Sequence, residues 1–509
     1  MAGGSKLQFH FINGKDIDAN ARKEIRSSVM LGRNTKKRRI YIRPKPRELL
    51  PETAARNDTP IARDAAVDVD AAGTAGDRRS PEKPGRRPRE EQQSARAIQL
   101  YPRVGDELSS LAYAQPLDLT TRMRILQFIH MSYNLIYPRE LCFQVDECHR
   151  VWLDYLQSNE AFVHSFLAMV DTYVSSQVGT PGHKSIILQH LSNTYKSINR
   201  RLQQESAPSD ATIASVMSIA MYNNIILAPS AVKLHLHALK KMVTPRMSDR
   251  SSPLPQILLH KIYRTDIEHS LQTGCVPQFY SDSFPYEAVR MMPDWHASTY
   301  EAMVTTTAAG IYDINLQLLF RDLLCASRYL NAEAQTLPKM SPFDFQGIIV
   351  AVCYRVLHVY PLETGLSPTC TMSRVEEACY LALLALMTTM LMRAGHAKVS
   401  YSLIARRFRD SVLAVAGLGT GADSQFLLWS LFVGGISVWD VDGEDGAWVF
   451  QEMRRCVMVL GVGSWQEVWD TCLFGFPWIR HFHDKAGLEL WDAYTKAELG
   501  QIDQEPQVL

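Results

Sequence analysis

Apolar residues in most of this chain recur with the period of an α-helix. One set on a common helical face is Phe162, Phe166, Met169, Val170 and Tyr173, and a second is Ile213, Val216, Met217, Ala220 and Met221. Strand-like alternation of apolar and polar residues is scarce. The pattern therefore predicts an all-α body, and because no fixed-period repeat is visible, we expect its helices to stack irregularly rather than as a regular solenoid.

Two of the predicted helices have recognisable ends. Ser209 can cap the exposed amide groups at the start of one, and Asp210 places negative charge beside the positive end of its dipole. The next helix begins at Pro229, and we expect it to end at Pro245. Its apolar stripe is Val232, Leu236, Leu239 and Val243. Two amphipathic helices this close in sequence predict a helical hairpin.

The longest uncharged apolar runs are 378–392 and 426–439. Both are well short of the roughly 20 residues that a helix needs to cross a bilayer. They predict buried helices, and we expect no membrane partner. The interrupted apolar residues at 1–13, with no small-residue cleavage site after them, argue against a signal peptide.

Composition divides the chain into three regions. Residues 51–96 have no aromatic side chain, repeated proline and mixed charges, so they cannot bury enough apolar surface to offset the entropy of ordering. We predict a basic N-terminal arm at 1–50, a disordered linker at 51–96, and one large irregular multi-helix domain at 97–509.

The positive charge of the chain is concentrated in the arm. Between Arg22 and Arg47 there are eleven lysines or arginines and one acid, Glu24, a local charge of +10 in a chain whose net charge is +1. The rest of the chain therefore sums to −9. A local polycation of this kind is typical of a nuclear-import signal, a phosphate-binding patch, or both.

Eight cations of the arm are the candidate site residues. Residues 20–30 can form a short helix that places three of them on neighbouring turns, ended by Gly32. We expect nuclear import or phosphate contact from Arg22, Lys23, Arg26, Arg33, Lys36, Lys37, Arg38 and Arg39. Binding to DNA through phosphates would weaken as salt rises, because each contact releases counterions.

Three glycine- or serine-containing motifs lack the context that their chemistry requires. Residues 179–185 have a histidine between the last glycine and Lys184 and no preceding buried strand, so we expect a linker between helices rather than a phosphate loop. Residues 417–421 predict a flexible turn. Ser437 misses the nucleophile elbow because Trp439 stands where the final glycine is needed, and it predicts a packed helix residue.

The other reactive side chains do not form a recognisable site. His481 and His483 would diverge by roughly 200° on a helix, and zinc needs at least three protein ligands, so we expect no metal and no cofactor. His235 and His237 diverge in the same way, which predicts one buried and one solvated ring. The nine cysteines form no Cys-x2-Cys pair and predict reduced thiols. Seven tryptophans between 429 and 491 predict core packing, with a ligand pocket as the alternative.

Several segments of the body occur together in one known family: 209–220, 235–243, 258–270, 428–436, 460–465 and 483–491. They resemble the fungal-specific transcription factor regulatory proteins, in which an all-helical body usually follows a six-cysteine binuclear zinc cluster. Residues 9–13 and 22–30 resemble the N-terminal arm of members that lack the cluster. The first cysteine here is Cys142, inside the body, so sequence-specific DNA binding does not carry over from the family.

The resemblance implies a nuclear protein that controls transcription of a metabolic or biosynthetic gene set, with the transcriptional machinery or another regulator as its partner. DNA, through the arm, and a second copy of the chain are further candidate partners. The alternative is a helical scaffold or co-regulator that acts through protein partners without touching DNA. We expect no enzyme, because no arrangement of nucleophile, base or phosphate loop is recognisable.

Overall fold

The structure is a computed structural model of the chain. It describes residues 112–143, 147–178, 184–248, 253–281, 311–334, 339–360, 362, 372–391, 401–417 and 424–502. All of these residues belong to one compact unit. The predicted arm and linker lie outside the described residues, as do the first residues of the predicted domain at 97–509.

The described residues form fifteen α-helices and no β-strand, which confirms the predicted all-α body. In chain order they are α1 (Leu119–Ile136), α2 (Glu147–Ser158), α3 (Glu160–Val178), α4 (Lys184–Gln204), α5 (Asp210–Ile225), α6 (Pro229–Ser248), α7 (Gln256–Thr273), α8 (Ile314–Glu333), α9 (Pro342–Val359), α10 (Arg374–Thr388), α11 (Ser402–Ala416), α12 (Ser424–Ser437), α13 (Gly446–Leu460), α14 (Trp465–Thr471) and α15 (Arg480–Ile502). A short 3₁₀ helix, Leu473–Gly475, lies between α14 and α15.

The first group of helices is built around α3 and α5. Helix α5 packs against α3, α4, α6 and α7, and its small and apolar side chains are buried on every side. The predicted stripe from Phe162 to Tyr173 on α3 is buried, as are Ile213, Val216, Met217 and Ala220 on α5. Because α5 has no solvent-facing stripe, it forms the centre of this group.

The second group is built around α10 and α12, which pack against each other, and α11 contacts both. These two helices contain the long apolar runs, and most of their residues are buried, as the sequence predicts. In the part of the chain that the structure describes, no helix combines the length and apolarity that a bilayer crossing requires.

Helix α7 connects the two groups. It packs against α5 and α6 on one side and against α9, α10 and α11 on the other. A second connection is a pair of backbone hydrogen bonds, in which Phe143 donates to the carbonyl of Met340 and Met340 donates to that of Leu141, each near 3 Å. Buried apolar side chains from both groups belong to one continuous core.

The predicted hairpin of α5 and α6 is present. Its observed helix ends match the predicted ones, except at the end of α6. The side chain of Ser209 accepts a hydrogen bond from the amide of Thr212, so α5 has the expected cap. Helix α6 begins at Pro229 but continues through Pro245 to Ser248, so the predicted end at Pro245 is wrong. Proline removes one backbone donor. Here that loss falls in the last turn, and the ring lies on the exposed face, so the helix continues.

Candidate functional site

The candidate cations of the arm all lie outside the described residues, and so does the short helix predicted at 20–30. These are Arg22, Lys23, Arg26, Arg33, Lys36, Lys37, Arg38 and Arg39. Residues 179–183 and 418–421 of the two glycine-rich motifs also lie outside the described residues. Their roles stay predictions.

The described residues confirm two of the interpretations made from single motifs, those of Ser437 and of the pair His235 and His237. Ser437 is the last residue of α12, is buried, and donates to the carbonyl of Val433. His235 is buried and His237 is exposed, as their spacing predicts. Gly417 directly follows the last residue of α11.

His481 and His483 point to different partners. The Nδ1 atom of His481 lies 3.3 Å from the carboxylate of Glu140. His483 has no exposed surface, and its Nδ1 accepts the amide of Ile479 at 2.9 Å. Its Nε2 therefore donates to the hydroxyl of Thr389, 2.7 Å away. Among the described residues, no group of three or more metal-ligating side chains is assembled.

The tryptophans of the C-terminal region form core contacts. Trp429, Trp439 and Trp478 are almost completely buried, and Trp491 is 5% exposed. The ring of Trp429 stacks on Phe476 at 5.0 Å, and its indole nitrogen donates to the carbonyl of Pro477. These contacts confirm the prediction of core packing.

The most unusual concentration of ionisable groups lies on α7, the helix that joins the two groups. Arg264 is 7% exposed, and its guanidinium donates to the side-chain oxygen of Gln346 at 3.0 Å and to the carbonyl of Met390 at 2.8 Å. Gln346 in turn donates to the carbonyl of Ile136, at the end of α1. Burial lowers the pKa of Arg264. This chain of bonds connects α1, α7, α9 and the residues after α10.

Asp266, two positions along α7, has no exposed surface. Its two carboxylate oxygens accept the amides of Gln278 at 3.0 Å and Phe279 at 2.8 Å, and also the hydroxyl of Tyr354 at 2.9 Å. Burial raises the pKa of Asp266 to about 6, against the lowering effect of these three donors. The carboxyl therefore holds the segment after α7 and helix α9 against α7.

Glu268 lies one turn beyond Arg264 and is partly buried. Its carboxylate accepts from the amide nitrogen of Asn224 at 3.5 Å, and the same nitrogen contacts the carbonyl of Thr265 at 3.3 Å. Burial raises the pKa of Glu268 to about 7, although Arg264 acts in the opposite direction. We define Arg264, Asp266 and Glu268 as the polar centre of α7.

Three buried histidines lie on α7 and on the neighbouring helix α6. His260 and His269 lie on α7, and His235 lies on α6. Burial lowers the pKa of each to about 4, so all three rings are neutral at physiological pH. Neutral rings add no further charge to an interior that already contains one arginine and two carboxyls.

A small apolar pocket lies where α1, α2, α3, α5 and α7 meet. It has a free volume of about 30 Å³ and is lined mainly by aromatic and methionine side chains, with one cation from α7: Phe128, Trp152, Phe166, Met169, Met217 and Lys261. That space accommodates a water molecule or two, whereas small-molecule sites usually measure about 300–1,000 Å³. The pocket as described is therefore too small for an effector.

The polar centre organises helices and does not present a reacting group. Its side chains are paired with backbone amides, carbonyls and neutral side chains across the molecule; Arg264 and Asp266 are buried and Glu268 is partly buried. Sequence reasoning missed it, although a signal exists. The apolar residues Ile257, Leu258, Ile262, Tyr263 and Ile267 occupy every side of α7, so the ionisable residues between them cannot all reach water.

No family model, no curated protein and no solved structure matches this chain. Its function therefore has to be inferred from its own residues.

Proposed function

We propose that this chain is a nuclear regulator of transcription, in which a basic arm contacts import carriers or phosphates and a helical body binds protein partners. The observation that carries the proposal is the segregation of charge along the chain. The arm has +10 between Arg22 and Arg47, whereas residues 97–509 contain 40 acidic and 32 basic residues, a net charge of −8.

The sign of the body's charge decides which part would meet a polyanion. A net negative body is repelled by phosphate backbones, and the arm is attracted to them. The resemblance of the C-terminal segments 428–436 and 483–491 to the fungal-specific transcription factor regulatory proteins supports a role in transcription. We propose no enzymatic activity.

The import role is tested by changing Lys36, Lys37, Arg38 and Arg39 to alanine in a fluorescent fusion of the full chain. We expect nuclear accumulation to be lost, because import carriers read clustered cations. The linker offers a matched control with the same number of cations, Lys83, Arg86, Arg87 and Arg89, changed to alanine together. Unchanged accumulation in the arm variant would refute the import role.

The second candidate function is a co-regulator that stays off DNA and uses the arm only for nuclear entry. The net negative charge of the body favours this second candidate, because a negative body repels DNA phosphates. Only the arm could then contact DNA. The two functions are separated by titrating duplex DNA with the purified full chain at several salt concentrations. Contact through the arm predicts affinity that falls with salt, with a slope of about 0.9 for each phosphate contacted. Affinity that is absent at low salt, with chromatin occupancy that disappears when a partner is deleted, would establish the co-regulator.

A further inference from the structure

Helix α6 has an exposed face that carries cations and no carboxylate. Its twenty residues include no aspartate or glutamate. Lys233, His237, Lys240 and Lys241 are exposed, whereas the fourth cation of the helix, Arg246, pairs with Asp210 on α5.

The opposite side of α6 fixes the orientation of this face. Val232, Leu236 and Val243 have no exposed surface and pack in the core with α5 and α7. Residues 233, 237, 240 and 244 follow one another at helical spacing, so their side chains share one side of the helix. The cations cannot turn inward without removing the apolar stripe from the core.

Apolar side chains are exposed on α6 and in the link that precedes it. Leu234 is 65% exposed on α6 itself, and Ile226 and Leu227 are 45% and 39% exposed in the link that leads into the helix. Leu227 has a positive φ of 54°, which is uncommon for a leucine. We call Leu234, Ile226, Leu227, Lys233, Lys240 and Lys241 the α6 face.

We propose that the α6 face binds an acidic amphipathic segment of another protein. Carboxylates of such a segment complement Lys233 and Lys241, and its bulky apolar residues cover Leu234 and the link. A nucleic-acid backbone would match the cations but offers no apolar surface to the exposed leucines and isoleucine. The mixture of charge and apolar area therefore favours a peptide partner.

This inference deepens the proposed function: it rests on the helical body binding protein partners and does not depend on the arm. Lys240 already donates to the carbonyl of Gln278 at 2.6 Å, so its contribution is partly used within the molecule. Lys233 and Lys241 are the cations to change, and Leu234 is the apolar residue to change.

The test measures binding of a fluorescein-labelled peptide, in which aspartates alternate with leucine and phenylalanine, to the full-length protein by anisotropy. The variants are Lys233→Glu with Lys241→Glu, and separately Leu234→Ser. We expect each to weaken binding about tenfold, the first through repulsion and the second through loss of apolar contact. The matched control, Lys485→Glu with Lys496→Glu, changes two exposed lysines of α15 and should leave affinity unchanged.

A second peptide, with serine in place of leucine and phenylalanine, measures the background attraction of acids to the arm. It should bind more weakly and should not respond to Leu234→Ser. Helical circular dichroism and the thermal midpoint verify that each variant is folded.

The proposal is overturned if the amphipathic peptide binds all variants equally, or if the serine peptide binds as tightly. It is also overturned if duplex DNA binding depends on Lys233 and Lys241 while the peptide does not. Loss of nuclear import in the Lys36–Arg39 variant is a separate result and does not bear on these outcomes.

Discussion

At the scale of single residues, the buried carboxyl of Asp266 links stability to pH. Its pKa in the folded protein is raised to about 6 from an ordinary value of 3.8, because burial disfavours the charged form. The folded state therefore holds a proton that the unfolded state has already released. The resulting stabilisation is present at low pH and is lost as the pH rises through about 6.

We predict that the wild type gains stability relative to Asp266→Asn as the pH falls from about 7.5 to about 5, by on the order of 1 kcal/mol. The measurement is urea unfolding of both proteins at several pH values. The comparison with Asp266→Asn is needed because the buried His235, His260 and His269 change the free energy of unfolding in the opposite direction with pH. Their lowered pKa values reduce stability as the pH falls from 6.5 toward 4.

Asp492→Asn, on the exposed side of α15, controls for the removal of a surface carboxylate. A stability difference between wild type and Asp266→Asn that does not change with pH would contradict the pKa of Asp266. The asparagine variant should also be less stable at every pH. Its side chain has only one oxygen for the three donors from Gln278, Phe279 and Tyr354.

At the scale of elements, α12 shows why a buried helix contains a glycine at position 434. A Cβ atom at Gly434 would overlap the ring of Trp439. That ring is held in place by stacking on Phe408 at 4.7 Å, by an edge contact to Trp448 at 4.7 Å, and by its own hydrogen bond to the carbonyl of Ala405. Glycine at this position lets the end of α12 and the indole approach each other.

We predict that Gly434→Ala destabilises the body by up to about 2 kcal/mol. Overpacking a core costs about 1–3 kcal/mol, and this exceeds the gain of about 1 kcal/mol that alanine brings to a helix interior. Chemical denaturation measures the change. Gly417→Ala is the matched control, since its φ is −69° and the nearest atoms would lie 3.6 Å from the added carbon. Equal stability of the two variants would show that the ring of Trp439 can move.

At the scale of the whole molecule, the described helices share one hydrophobic core, and α7 connects its two groups. A body of this kind should fold as a unit, because neither group can bury α7 alone. We predict that a fragment of residues 97–509 unfolds in one cooperative transition, with a thermal midpoint within a few degrees of that of the full chain. Differential scanning calorimetry of both proteins is the measurement. Two separated transitions, or a midpoint lowered by about 10 °C, would mean that the body is divisible or depends on residues 1–96.

The sequence by itself determined the all-α class, the hairpin of α5 and α6, the cap at Ser209 and the burial of the long apolar runs. Each of these follows from local periodicity or from the chemistry of a helix end, which neighbouring residues in the chain decide. The one wrong helix end, at Pro245, comes from the same local reasoning. The penalty for proline in a helix depends on whether the ring meets the core, and here it lies on the exposed face.

Only the tertiary structure decided which ionisable residues are buried and what they bind. Arg264 and Asp266 meet partners that lie 82 to 126 and 12 to 88 residues away along the chain, so no local window contains the information. The orientation of α6, and hence the exposure of its lysines beside Leu234, follows from how α5 and α7 cover its other side. Side-chain burial is a property of the packed helices together, because the free energy of a charge or an apolar surface depends on what surrounds it.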